Sequence, residues 1–146
     1  MLKVENLTVK FSSRFGDFTA VEDMHMSVAP GEIHGLVGES GAGKSTVGAA
    51  IIGLLQRPGY VADGTLMLDE TDLRSLDRDA AHALRGSRIS MIFQDPMTSL
   101  NPYMKVGKQL MEVLMLHKGM NKTEAFEVSV KMLDAVKMPE ARKRMT

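Results

Sequence analysis

The fold is decided by nine residues, which read Gly38-Glu39-Ser40-Gly41-Ala42-Gly43-Lys44-Ser45-Thr46. They fit the pattern G-x-x-x-x-G-K-[ST] without a mismatch. Glycines permit unusual backbone dihedrals, so successive N–H groups of such a loop can point towards one anion. A helix that begins near Lys44 adds about half a positive charge at its N-terminus. The stretch therefore predicts a loop that cradles phosphate groups.

Within this loop each residue type has a predicted role towards a triphosphate. Lys44 supplies a mobile ammonium for the β- and γ-phosphates, Ser45 offers its hydroxyl to Mg²⁺, and Thr46 reaches the α-phosphate. The other members of the motif contribute backbone N–H groups. The alternative interpretation is a glycine-rich turn that carries a surface lysine, and the flanking pattern argues against it.

The flanks of the loop have the expected character. Residues Ile33–Val37 form a short, mostly apolar run bounded by glycines, which predicts a strand buried on both faces. From Lys44 to Leu55 the apolar positions recur on one helical face, which predicts a helix. The local order is therefore strand, loop and helix.

The rest of the chain divides into an early β-rich part and a late helical part. Two runs, one over 2–11 and one ending at Val28, predict an antiparallel pair, and further strands are predicted at 64–69 and 89–93. Helices are predicted over Asp77–Leu84 with Asp77 as N-cap, over Val106–Lys118, and after Asn121, whose spacing to Glu124 fits a capping box.

Composition excludes several function classes. Lys plus Arg and Asp plus Glu both number 18, so the net charge is zero, which argues against nucleic-acid binding by bulk positive charge. The chain has no cysteine, which excludes disulfides, thiolate zinc sites and a cysteine nucleophile. No apolar run approaches the roughly 20 residues that a membrane-spanning helix needs.

Two motifs together carry a family resemblance. The loop Gly38–Thr46 resembles the Walker A motif of ABC-type ATPases, and Ile89–Pro102 resembles the Q-loop of importers for oligopeptides, dipeptides, nickel and glutathione. The resemblance covers essentially the whole chain. It implies an α/β fold in which a P-loop NTPase core, with an incomplete RecA-like parallel sheet, carries an N-terminal antiparallel β-subdomain and a C-terminal helical subdomain.

The resemblance also implies subdomain boundaries and site residues. The β-subdomain takes 1–32 and 60–72, the P-loop core takes 33–58 and 73–95, and the helical subdomain takes 96–146. Gln94 matches the Q-loop glutamine, which with Ser45 contacts Mg²⁺ and orients the attacking water, so Lys44 and Gln94 are the predicted catalytic residues. Phe11 falls near the aromatic residue that stacks on adenine. Phe15 or Phe18 could serve instead, and a core role for Phe11 stays open.

The implied function is that of an ATP-binding subunit that energises an importer for peptides or related small solutes. ATP and Mg²⁺ are the implied ligands, and the implied place is the cytoplasmic face of the inner membrane, as a peripheral subunit. The implied partners are membrane permease subunits docked through Asp95–Tyr103, a second ATP-binding subunit and, indirectly, a solute-binding protein. Nucleic acid is not an expected partner.

The departures from the family pattern set further expectations. No signature sequence, Walker B strand or switch histidine follows the Q-loop. The stretch that ends in Asp69-Glu70 looks like a Walker B strand, but it matches the β-subdomain of the family instead. We therefore expect the N-terminal part of a nucleotide-binding domain, which binds nucleotide weakly, hydrolyses little ATP alone and is marginally stable. The alternatives are a non-transport ABC protein of DNA repair or translation, a small-molecule kinase or GTPase using the same loop, and a non-enzymatic interaction fragment.

Overall fold

The computed structural model describes residues 1–94 and 99–146. The chain forms two compact units, Met1–Arg85 and Gly86–Thr146, and each is described by itself. Within the described residues no helix combines the length and the apolar character needed to cross a bilayer.

The first unit is built on a four-stranded sheet with the order β2-β1-β3-β4. Its strands are β1 (Leu2–Ser13), β2 (Gly16–Val28), β3 (Gly59–Leu68) and β4 (Thr71–Asp72). All three pairings are antiparallel, and β1 pairs with β2 along one edge and with β3 along the other. The predicted antiparallel pair is confirmed, and the predicted strand at 64–69 is confirmed in a longer form that begins at Gly59.

The core of this unit lies on one face of β1. Val4, Leu7 and Val9 are fully buried there. The spacing from Val4 to Leu7 is three residues instead of two, because the pairing register shifts between them and Asn6 takes a φ of 51°. A bulge of this kind returns the next side chain to the buried face. It explains the imperfect alternation in the sequence.

Two helices complete the first unit, α1 (Lys44–Ile51) and α2 (Arg78–Leu84). Helix α1 packs Val47 and Ala50 into the core of the sheet. It is shorter than the predicted Lys44–Leu55, since Gly53 adopts a left-handed φ of 68° just after it and stops the helix. The predicted N-cap of α2 is confirmed, because Asp77 accepts a hydrogen bond from the Ala80 N–H at 2.8 Å.

The two predicted strands at 33–37 and 89–93 are not formed, and this prediction was wrong. Residues 33–37 are irregular, and in the other segment only Ile89 takes part in an isolated bridge. Ile33, Val37 and Ile92 are 99%, 90% and 94% exposed. A strand requires a hydrogen-bonded neighbour, and no described strand pairs with either segment. Apolar composition indicates a preference for burial but does not supply that neighbour.

The second unit contains three helices within its described part, α3 (Val106–Lys118), α4 (Lys122–Ala135) and α5 (Ala141–Arg144). Helix α3 has the predicted bounds. The capping box at α4 is confirmed, because Asn121 accepts from the Glu124 N–H and its own N–H donates to the Glu124 carboxylate, both at 3.0 Å. Buried residues of α4 and the C-terminal segment form a small core, namely Val130, Ala141 and Met145.

The C-terminal segment lies directly against Gly107 of α3. A Cβ built at Gly107 would stand 2.2 Å from the Met145 carbonyl oxygen and 2.9 Å from its carbonyl carbon. Both are backbone atoms, so no side-chain rotation relieves the clash. The glycine therefore permits Met145, which is buried, to reach the core of the second unit.

We predict that Gly107→Ala destabilises the second unit. Alanine favours a helix over glycine by up to about 1 kcal/mol, but the overpacking clash costs about 1–3 kcal/mol, so the net effect is a loss. Urea unfolding followed by circular dichroism measures it. Gly35→Ala is the matched control, since nothing lies within 4 Å of a Cβ there. A Gly107→Ala chain as stable as the control would contradict the prediction.

Candidate phosphate-binding site

The loop 38–46 is exposed along most of its length and runs straight into α1. Gly41 and Gly43 take left-handed φ values of 84° and 82°, which glycine adopts without strain. Gly43 is the N-cap of α1, and its carbonyl accepts the first helical hydrogen bond from the Val47 N–H at 2.9 Å. The backbone therefore turns sharply within the motif and starts a helix where the sequence predicts one.

The N-terminus of α1 has the features of an anion site. The N–H groups of Lys44, Ser45 and Thr46 precede the first helical hydrogen bond, and these are the groups that a helix offers to an anion. The helix dipole adds a partial positive charge at the same place. Ser45 is exposed, and Lys44 and Thr46 are half-buried.

The lysine ammonium lies over the loop itself. Nζ of Lys44 donates to the carbonyl oxygen of Gly38 at 2.8 Å and to that of Glu39 at 2.6 Å. The cation is thereby held by the first two residues of the motif. An incoming phosphate would exchange these two neutral acceptors for charged ones, which form stronger hydrogen bonds with an ammonium.

A contact that the sequence did not reveal fixes the loop to the sheet. A Cβ built at Gly43 would stand 2.7 Å from the Ala20 carbonyl oxygen and 3.0 Å from Cγ2 of Val21, both on β2. Gly43 is thus required for close approach as well as for its backbone conformation. No sequence signal could have found this contact, since Ala20 and Gly43 are far apart in the chain.

A magnesium ion fits the donor set of the loop. Mg²⁺ in phosphate-binding sites takes one or two protein oxygens and completes its shell with substrate phosphate and water. The exposed hydroxyl of Ser45 is such an oxygen donor. In the described ranges, no group of three or more His, Cys, Asp and Glu side chains is placed to hold a metal ion.

The other predicted ligands lie in different parts of the structure. Gln94 is exposed and belongs to the second unit. Phe11 packs against the core of the sheet and lies over Gly59, where a Cβ would stand 2.7 Å from its Cε1. Phe15 and Phe18 are exposed in and next to the β1–β2 hairpin turn. Core packing is therefore one role of Phe11 in this structure.

The predicted docking segment Asp95–Tyr103 is only partly described, since 95–98 lie outside the described residues. Its remainder is held by Gln109 of α3, which sequence reasoning missed. The Gln109 amide oxygen accepts from the Asn101 N–H at 2.9 Å, and its amide nitrogen donates to the carbonyls of Asn101 and Met104 at 3.0 and 2.9 Å. Tyr103 is fully exposed beside this brace.

The carboxylate of Asp17, near the hairpin turn, has a pKa that is shifted by its hydrogen bonds. Asp17 accepts from the Tyr60 hydroxyl at 2.6 Å and from the Ser12 hydroxyl at 2.9 Å. The bond from Tyr60, followed by that from Ser12, lowers the pKa of Asp17 below its ordinary value. The same bond raises the pKa of the Tyr60 hydroxyl. Asp17 therefore links the start of β2 to β3.

Comparison with known proteins places these features in context. A family model described as ABC transporter matches residues 21–146. The chain is 57% identical to the oligopeptide transport ATP-binding protein OppD of Salmonella typhimurium over 145 residues, which are 99% of this chain and 43% of that protein. The chain thus spans less than half the length of this relative.

Solved structures agree on the fold. The dimeric structure of MJ0796, a bacterial ABC transporter cassette, matches with a TM-score of 0.82 at 22% identity over 96% of this chain and 59% of that one. The post-hydrolysis state of the MJ0796 cassette, bound to ADP and Pi, matches with a TM-score of 0.77 at 23% identity over 92% and 57% of the two chains.

We predict that Gly43→Ala damages the loop more than Gly41→Ala does. Both positions are left-handed, so each alanine costs about 1–2 kcal/mol of backbone strain. Only at Gly43 does the new Cβ also meet β2, which adds about 1–3 kcal/mol of overpacking. Nothing lies within 4 Å of a Cβ at Gly41. Urea unfolding of the two variants measures the difference, and equal losses would refute the contact.

A second prediction concerns pH. Because the pKa of Asp17 is lowered by folding, its contribution to stability is present above the unfolded pKa and is lost as the pH falls through the folded pKa. Tyr60→Phe removes the largest cause, so the pKa of Asp17 should rise towards its ordinary value. An NMR titration of the Asp17 carboxyl carbon measures it. Tyr103→Phe, at an exposed tyrosine, should leave that pKa unchanged; an equal shift in both variants would contradict the assignment.

Proposed function

The chain belongs to the ABC transporter family, and on that premise we propose that it binds ATP–Mg to energise an importer for peptides or related small solutes. The single observation that carries this proposal is the convergence, on one exposed loop, of the Lys44 ammonium and the N-terminus of α1. The similarity of the chain to an oligopeptide transport ATP-binding protein favours a transport role over a role in DNA repair or translation.

In the proposed reaction, water attacks the γ-phosphate and the chain supplies positioning and charge stabilisation. The N–H groups of the loop and the Lys44 ammonium would hold the β- and γ-phosphates, where negative charge is spread in the transition state. Thr46 would reach the α-phosphate. Ser45 and Gln94 would hold Mg²⁺, which neutralises phosphate charge when bound, and the Gln94 amide would orient the water because it offers both a donor and an acceptor.

The proposed partners are inferred from the same family membership. We propose that Asp95–Tyr103 docks a membrane permease, which would place the protein on the cytoplasmic face of the inner membrane. The Gln109 brace supports this role, since it hydrogen-bonds Asn101 in the described part of the segment and leaves Tyr103 exposed. A second ATP-binding subunit is also proposed, because MJ0796 was solved as a dimer. A solute-binding protein would act only indirectly.

We predict that Lys44→Ala weakens binding of a fluorescent ATP analogue, in the presence of Mg²⁺, by about 10- to 100-fold, the loss expected for charge-assisted hydrogen bonds to phosphate. A fluorescence titration of the chain measures the dissociation constant. Lys131→Ala removes an exposed lysine of α4 and is the matched control. It should bind as tightly as the unmodified chain.

Two outcomes of this titration would overturn the proposal. If Lys44→Ala binds the analogue as tightly as the Lys131→Ala control, the loop is not the nucleotide site. If the unmodified chain binds no nucleotide while circular dichroism shows it folded, the loop is a glycine-rich turn. Retained binding by the control, with loss in Lys44→Ala, supports the assignment.

A further inference from the structure

An arginine from a distant part of the first unit contacts the end of the phosphate-loop helix. Arg85, the residue after the last one of α2, is half-buried. Its Nε donates to the Ile52 carbonyl at 2.8 Å, and its Nη2 donates to the Gly53 carbonyl at 2.9 Å. The guanidinium is therefore aimed at the C-terminus of α1 by two hydrogen bonds at once.

The way in which α1 ends explains why these carbonyls need a partner. The Gly53 N–H donates to Ala50 at 3.1 Å and the Leu54 N–H donates to Ala49 at 2.8 Å, which is the Schellman pattern. That pattern uses the carbonyls of Ala49 and Ala50 and leaves the later carbonyls directed away from the helix. Arg85 takes those of Ile52 and Gly53, and its charge lies at the negative end of the helix dipole.

The approach of the guanidinium is tight. A Cβ built at Gly53 would stand 3.0 Å from Nη2 of Arg85, so the glycine leaves room for the arginine while it also stops the helix. An arginine fits here better than a lysine, because its planar fork donates in two fixed directions. The two hydrogen bonds and the close approach at Gly53 thus join the C-terminus of α1 to the end of α2.

Helix α1 is held at both ends. It has 8 residues and is therefore about 12 Å long. Its N-terminal end is fixed by the contact of Gly43 with Ala20 and Val21, and its C-terminal end by Arg85. A short rod released at its C-terminal end can pivot about the fixed Gly43, and the pivot changes the direction in which the N–H groups of Lys44, Ser45 and Thr46 point.

We infer that Arg85 is a positioning residue for phosphate binding: it fixes the axis of α1 from its C-terminal end and thereby fixes the N–H groups that face the phosphates. This inference rests on the proposed function. It extends that function to a residue outside the motif, which touches no ligand and acts only through the helix. Its role requires two hydrogen bonds and a positive charge.

The test compares Arg85→Gln, Arg85→Lys and Arg78→Gln in the full chain. Arg78 is exposed at the first residue of α2 and serves as the control. Binding of a fluorescent ATP analogue with Mg²⁺ is titrated, and tripolyphosphate is used as a competitor that lacks base and sugar. We expect Arg85→Gln to weaken the binding of both ligands by about three- to tenfold, because only part of the free energy of the two lost hydrogen bonds reaches the binding site. Arg85→Lys should recover part of that loss, and Arg78→Gln should show none.

Amide hydrogen exchange of the ligand-free chains gives a second, independent readout. Exchange of the Val47 and Gly48 amides should be faster in Arg85→Gln than in Arg78→Gln. The inference is overturned if Arg85→Gln leaves both the ligand affinity and the exchange rates unchanged. It is also overturned if Arg85→Gln lowers the melting temperature while the affinity stays unchanged, because the role of Arg85 is then purely structural. If the unmodified chain binds neither ligand, the proposed function fails, and the exchange rates still decide whether Arg85 holds α1.

Discussion

The close approach of Gly43 to β2 is the contact on which the candidate site depends. The phosphate loop is preceded by 33–37, which is irregular and exposed, so the chain before the loop gives it no firm position. The loop is located instead from its C-terminal side, where Gly43 lies against Ala20 and Val21 and α1 packs into the sheet core. An antiparallel sheet thus supports a motif whose sequence pattern predicts a parallel one.

A chain of zero net charge can still carry a local positive field at the candidate site. The balanced composition argues against binding by bulk positive charge. It leaves room for a local positive field, which here comes from one ammonium, a helix N-terminus and oriented N–H groups within a few residues. Arg85 serves the opposite end of the same dipole. In the proposed site the N-terminus of α1 would face the ligand, while its C-terminus faces Arg85 of the protein itself.

The sequence predicted those features that are determined by neighbours in the chain. The start of α1 at Lys44, the capping box at Asn121 and the bounds of α3 are deduced from motifs, caps and periodicity, which are local. The Gly43 contact and the Arg85 bonds were missed because they join residues distant in sequence. The strands at 33–37 and 89–93 were predicted wrongly, since an apolar run carries no information about its hydrogen-bonding neighbour.

The two units hold their candidate site residues by different means, and this determines how precisely each residue is placed. In the first unit, backbone close approach fixes the loop, so the tolerance for added atoms at Gly43 is very small. In the second unit, the Gln109 side-chain amide holds Asn101 and Met104 through three hydrogen bonds, two that it donates and one that it accepts. A brace of that kind adapts to small shifts through side-chain rotation. A rigid cradle would suit the phosphate of the proposed site, and an adaptable brace would suit the proposed docking of the segment to a protein partner.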